Sequence, residues 1–129
     1  MKALTPPAIH PPFARYAHGA EIPPGARLIR TSGQLGIDAD GQTPESAYEQ
    51  ALICFANIRA ILAEGGMEMA DIVHLTAYVT DRTYMAGYMQ ARDEVTAVCA
   101  EPPASTLLIV SGFTRPEFKV EVEAMAAAV

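Results

Sequence analysis

The sequence predicts an α+β domain in which two helices lie on one face of a sheet. Three observations predict it. Residues 72–80 and 118–124 alternate apolar and polar side chains, the two-residue period of strands with one buried face. Between them and the N-terminal third, Tyr48, Ala51, Leu52, Phe55, Ile58 and Leu62 recur at helical spacing. The segments follow one another as strand, helix, strand, helix, strand, strand, with no internal repeat or linker, so residues 1–129 are read as a single domain.

Each element has a local cause. The first 25 residues carry the pairs Pro6-Pro7, Pro11-Pro12 and Pro23-Pro24, and this stretch reads as irregular or edge-strand structure laid over the domain. Gly25 turns the chain into a short strand over residues 26–32, centred on Leu28 and Ile29. Gly33 and Gly36 follow, then a turn at Asp38-Ala39-Asp40-Gly41. Thr43-Pro44-Glu45 reads as a helix start: a hydroxyl cap, a proline suited to the first helical position and an acid at the positive end of the dipole. Gly65-Gly66 ends that helix. In the strand at 72–80, Val73, Leu75, Ala77 and Val79 point one way, and Ile72, His74, Thr76, Tyr78 and Thr80 the other. Asp81 caps a second helix whose apolar stripe comes from Met85, Tyr88, Met89, Val95 and Val98, and Pro102-Pro103 stops it. The continuous run Leu107-Leu108-Ile109-Val110 predicts a central strand covered on both faces. In the last strand Phe118, Val120, Val122 and Ala124 form the apolar side, and Lys119, Glu121 and Glu123 the polar side.

Composition excludes several function classes. Half the residues are hydrophobic, enough for a packed core. No apolar run approaches the ~18 residues needed to span a membrane, and the proline-rich start has no signal-type apolar region, so the cytoplasm is the expected compartment. Cys54 and Cys99, in helical apolar surroundings, read as reduced packed thiols. With no CxxC and three scattered histidines (His10, His18, His74), no metal site is expected. The net charge of −6, with no basic stripe, argues against nucleic-acid binding. Two helices on one face of a sheet leave its other face uncovered, and a second copy of the chain is the simplest cover.

Four colinear segments resemble the Rid (YjgF) family of reactive-intermediate deaminases. They are Thr31-Ser32-Gly33-Gln34-Leu35; Ala56-Asn57-Ile58-Arg59-Ala60-Ile61-Leu62 followed by Gly65-Gly66; Asp71-Ile72-Val73-His74-Leu75-Thr76-Ala77-Tyr78-Val79-Thr80-Asp81; and Val120-Glu121-Val122-Glu123-Ala124-Met125-Ala126. The resemblance implies a chorismate-mutase-like α+β fold with a mixed sheet. It also implies a homotrimer with a central β-barrel, clefts between subunits that take a small-molecule ligand, and no metal or organic cofactor. Deaminating members hydrolyse an imine or enamine there to a keto acid and ammonia.

The candidate residues carry two readings each. Glu121 matches the family's cleft glutamate, where a carboxylate beside a water can accept and pass on a proton; from the strand pattern alone it is a solvated acid. Glu123, about 6–7 Å further along the same face, could pair with Glu121 as general acid and base, and otherwise makes the structural hydrogen bond or ion pair expected of it. Tyr16, in Arg15-Tyr16-Ala17-His18-Gly19, matches an aromatic residue that borders the family's ligand, and otherwise packs with its hydroxyl outward. Ser32 and Gly33 either line the cleft or make a tight turn.

The segment Pro102-Pro103-Ala104-Ser105-Thr106 matches a P-x-R-S-x arrangement whose arginine grips a substrate carboxylate with a planar fork. Here that position is Ala104, while Ser105 remains and Thr106 keeps a backbone able to position water. Loss of such a charge-assisted pair costs on the order of 2–4 kcal/mol. Arg15 and Arg115 are the candidate replacements, with Arg30 and Arg92 ranked below them. His18 and His74 read as structural or exposed. Three functions follow: a deaminase acting on a small imine or enamine other than the usual 2-imino acids, a metabolite-binding trimer without turnover, and, against the acidic charge, an endoribonuclease.

Overall fold

The computed structural model describes all 129 residues. Seven strands, β1 (Lys2–Leu4), β2 (Gly19–Glu21), β3 (Arg27–Arg30), β4 (Gln34–Leu35), β5 (Ile72–Val79), β6 (Ala104–Ile109) and β7 (Val120–Ala128), combine with two helices, α1 (Ala47–Glu64) and α2 (Met85–Val95). β1 and β2 form a separate antiparallel pair from the proline-rich lead. The main sheet runs β3-β7-β5-β6, with β4 also on β7. β7 is antiparallel to β3, β4 and β5, whereas β5 and β6 are parallel. The sheet is therefore mixed, as the resemblance implied.

The core lies between the sheet and the helices. Ala51, Cys54, Phe55, Ile58 and Leu62 of α1 pack on Leu75, Ala77 and Val79 of β5 and on Val120, Val122, Ala124 and Ala126 of β7, with Tyr88 and Ala91 of α2. The strand side chains are the inward members of the alternation, so the sequence pattern and the burial pattern coincide. A register shift between Ile72 and His74 leaves both Ile72 and Val73 buried at the start of β5. Gly66 closes α1 with φ 73°, a left-handed angle that glycine adopts freely, and Met67 N–H bonds back to the Leu62 carbonyl at 2.8 Å.

Three expectations are corrected. α1 starts not at Thr43 but at Ser46, whose hydroxyl accepts from Glu49 N–H at 3.0 Å. The Pro44 carbonyl instead receives the side-chain amide of buried Gln50, which also donates to the Glu117 carbonyl and accepts from Lys119 N–H. That one amide ties the helix start to the entry of β7, and it fixes the boundary. The second correction is β6, which is an edge of the sheet rather than a covered centre. Only Leu107 of its apolar run packs on the core, while Leu108 and Ile109 are 48% and 46% exposed. Finally, Val98 falls beyond α2 and is exposed, and the stripe it was assigned to is completed by buried Ala91 and Arg92.

Candidate functional site

The face of the sheet turned away from the helices is polar and open. Pairing register places its side chains in transverse rows. Arg30, Met125, His74 and Ala104 form one row across β3, β7, β5 and β6; Glu123, Thr76 and Thr106 form the next; Glu121, Tyr78 and Leu108 the third. Depressions of about 130 and 360 Å³ lie along the first two rows and share His74 and Met125.

Glu121 stands in the third row beside the turn that joins β3 to β4. A β-carbon at Gly33 would overlap its carboxylate, so the glycine is what lets the acid lie against that turn. Burial, followed by the nearby charge of Glu123, raises the Glu121 pKa. Glu123 accepts a short hydrogen bond from the Tyr78 hydroxyl, the structural role expected for it. The same bond raises the Tyr78 pKa, with desolvation adding to it. Thr31 was not singled out by sequence, yet it is buried and its hydroxyl accepts from Ala124 N–H at 3.0 Å. This pins the Ser32-Gly33 turn to β7. Ser32 itself is exposed, with its carbonyl accepting from the Gln34 side chain.

The other candidates fall elsewhere. Ala104 and Thr106 are on the open face, but two strands from Glu121, ~10 Å across the sheet at the usual strand spacing, and offset from it along the strands by two rows and one row respectively. Ser105 faces the opposite way. It pairs with Leu75 on the helix side and lines a pocket with Tyr16. The Tyr16 hydroxyl accepts from Phe13 N–H at 3.2 Å. Within one chain, then, the structure joins Glu121 to Gly33 and joins Tyr16 to Ser105, and does not bring the two pairs together.

Neither favoured replacement arginine is free. Arg15 donates to the Thr96 hydroxyl at 3.0 Å, and Arg115 lies over the Phe118 ring and 3.7 Å from Glu117 on the surface. Arg30 and Arg92, ranked lower from sequence, are the arginines that line cavities. Cys54 and Cys99 are buried free thiols; desolvation pushes Cys54 up to about 12 and raises Cys99. No helix is long and apolar enough to cross a membrane.

The backbone superposes on that of YyfB from Yersinia pestis, of the conserved Rid protein family, with a TM-score of 0.87 at 25% identity over 98% of both chains. A family model described as Endoribonuclease L-PSP matches residues 8–128. The chain belongs to the Rid family. Among relatives, this Rid protein is 30% identical to the 2-iminobutanoate/2-iminopropanoate deaminase of Escherichia coli over 116 residues, 86% of this chain and 85% of the relative. It is 33% identical to a RutC family protein of Aquifex aeolicus over 82 residues, 63% of each chain. A structure of E. coli TdcF with bound serine matches at a TM-score of 0.75 and 26% identity, over 97% of this chain and 94% of that one.

Proposed function

We propose that this Rid protein hydrolyses a small imine or enamine and that Glu121 handles the water. The observation that carries the reading is the placement of Glu121 against Gly33, with its proton affinity raised by burial and by Glu123. With the imine nitrogen already protonated, an acid held there can take a proton from water as the water oxygen bonds to the imine carbon. It can then pass that proton to the amine nitrogen, and take up the hydroxyl proton as the C–N bond breaks, leaving a carbonyl product and ammonia. The separation of Glu121 from Thr106, two strands (~10 Å) across the sheet and one row along it, supports a cleft completed by a neighbouring copy, in a trimer whose contacts cover Leu108 and Ile109.

Ala104 sets the substrate range in this reading. With no guanidinium at that position, the usual 2-imino acids lack their carboxylate clamp and turn over poorly. The test is stopped-flow or coupled kinetics with imines generated in place from serine or threonine, beside imines without a carboxylate. Slow turnover of the first and faster turnover of the second is expected. Rates on 2-imino acids matching arginine-bearing relatives would sink the substrate assignment. The same alanine favours a second reading, a trimer that binds a metabolite without turning it over. Recovery of an unchanged ligand, with no imine accelerated over water, selects that reading. The net charge of −6 weighs against an endoribonuclease.

A further inference from the structure

On the open face one hydroxyl has two acids within its range. β5 and β7 run antiparallel, and their register sets Tyr78 directly across from Glu121, with Glu123 opposite Thr76. A tyrosine can serve its direct partner or a diagonal one, since diagonal positions lie only ~7–8 Å apart. The Tyr78 hydroxyl takes the diagonal and donates to Oε1 of Glu123. Glu121 receives no such donor. Burial and the charge of Glu123 act on its carboxyl, both raising its pKa, with no hydrogen bond opposing them. The strand pattern makes the two acids equivalent, and the tyrosine makes them unequal.

The inequality decides where a proton goes. Neighbouring carboxylates resist simultaneous ionisation, so as pH falls the pair takes up one proton before the second. A hydroxyl donor favours the ionised form of the carboxylate it serves. That donor sits on Glu123, so the first proton falls to Glu121. The other groups around the pair leave this order in place. Arg30 of β3 acts on the Tyr78 phenol and partly offsets the rise in its pKa. His74 of β5 turns its Nδ1 to the Thr76 hydroxyl, 3.4 Å away. Cys54 of α1, behind the sheet, is a buried thiol pushed up to about 12 and stays neutral.

We propose that Tyr78 is a positioning residue for the water-handling step: its hydroxyl occupies Glu123 and so directs the proton shared by the two acids to Glu121. This role rests on the reading of Glu121 as the acid that carries the proton of water. Tyr78 meets no reacting atom in it and acts only through Glu123. A phenylalanine at the same position would keep the ring on that face and lose the selection between the acids.

The test is a pair of titrations on the full-length protein. In the first, glutamate carboxyls carry carbon-13, the Glu121 signal is assigned by its loss in Glu121→Gln, and its midpoint is followed by NMR. In the second, the acidic limb of kcat/KM is recorded on an imine without a carboxylate. Tyr78→Phe lowers the midpoint and the limb by roughly 0.3–1 pH unit, because Glu123 then competes for the proton and leaves Glu121 ionised whenever it wins. Glu123→Gln lowers both as well, and adding Tyr78→Phe to it moves neither further, since the tyrosine has lost the acid it acts through. A lower melting temperature with an unmoved midpoint makes Tyr78 merely structural and overturns the proposal. So does an upward shift, or a shift of the same size in the Glu123→Gln background. The two readings fail separately. A midpoint that moves in a protein that turns over no imine supports the proton allocation and overturns the deaminase reading; turnover with an unmoved midpoint overturns the role of Tyr78 alone.

Discussion

The two faces of the sheet are built from the same strands and obey different rules. On the helix side, β5 and β7 present Leu75, Ala77, Val79, Val120 and Val122, all fully buried. On the far side the same strands present His74, Thr76, Tyr78, Glu121 and Glu123, none of them fully buried. One face is finished within a single chain, while the other carries charge, a short tyrosine–carboxylate bond and two depressions. The first face carries the buried core and the second the proposed reactive groups, and single substitutions should separate them.

The largest expected effect is on the open face. Glu121→Gln is isosteric and lowers kcat/KM for the best imine by about 10²–10⁴, while the melting temperature does not fall. A large drop in stability with unchanged catalysis would reverse the division between the faces. Next comes the covered face: Leu75→Ala removes a fully buried side chain and costs about 2–5 kcal/mol in denaturant titration, with catalysis intact in the folded fraction. Supplying the proposed clamp at position 104 is the third. Ala104→Arg points a guanidinium into the larger depression and improves kcat/KM for 2-imino acids by about 10-fold or more, and no gain there would detach position 104 from substrate recognition.

The pH dependence follows from Glu121. Its folded pKa is raised, so the proposed base is protonated, and activity falls, at a higher pH than for an unperturbed glutamate. The stability associated with the group is present below its unfolded pKa and is lost as pH rises through the folded one. Glu123→Gln removes the smaller of the two causes and moves the acidic limb of the rate profile downward; an unmoved limb would assign it to another group. Smallest of all is Ser46→Ala, far from both faces, which costs about 1 kcal/mol through the lost cap and changes no rate.

Much of this was legible in the sequence, and the failures have physical causes. The alternation of β5 and β7 was read correctly because period two records which face is buried. β6 was misplaced because an apolar run reads the same in sequence on an exposed edge strand as on a covered central one. Ser105 and Thr106 were grouped with Ala104 as one motif, although neighbours on a strand point to opposite faces; that division was available in the pattern. The cap was misassigned because Thr43-Pro44 satisfies local rules, whereas the Gln50 amide that decides the boundary reaches a segment some seventy residues on. Arg92 was ranked below Arg15 and Arg115 because charge hides burial in any hydropathy pattern. Its place between Met89 and Thr96 on a packed helix face is tertiary information.

β7 runs for nine residues, pairs with three other strands, and alternates core and open-face residues along nearly its whole length. Removing or inserting one residue in its middle would send Glu121 and Glu123 into the helix layer and Val120 or Val122 onto the open face, exchanging the two faces of the sheet at once. Substitutions can therefore tune this strand one side at a time, but its length is not open to gradual change. A lineage of such proteins can alter what it recognises by swapping side chains at alternate positions while the residue count of β7 stays constant.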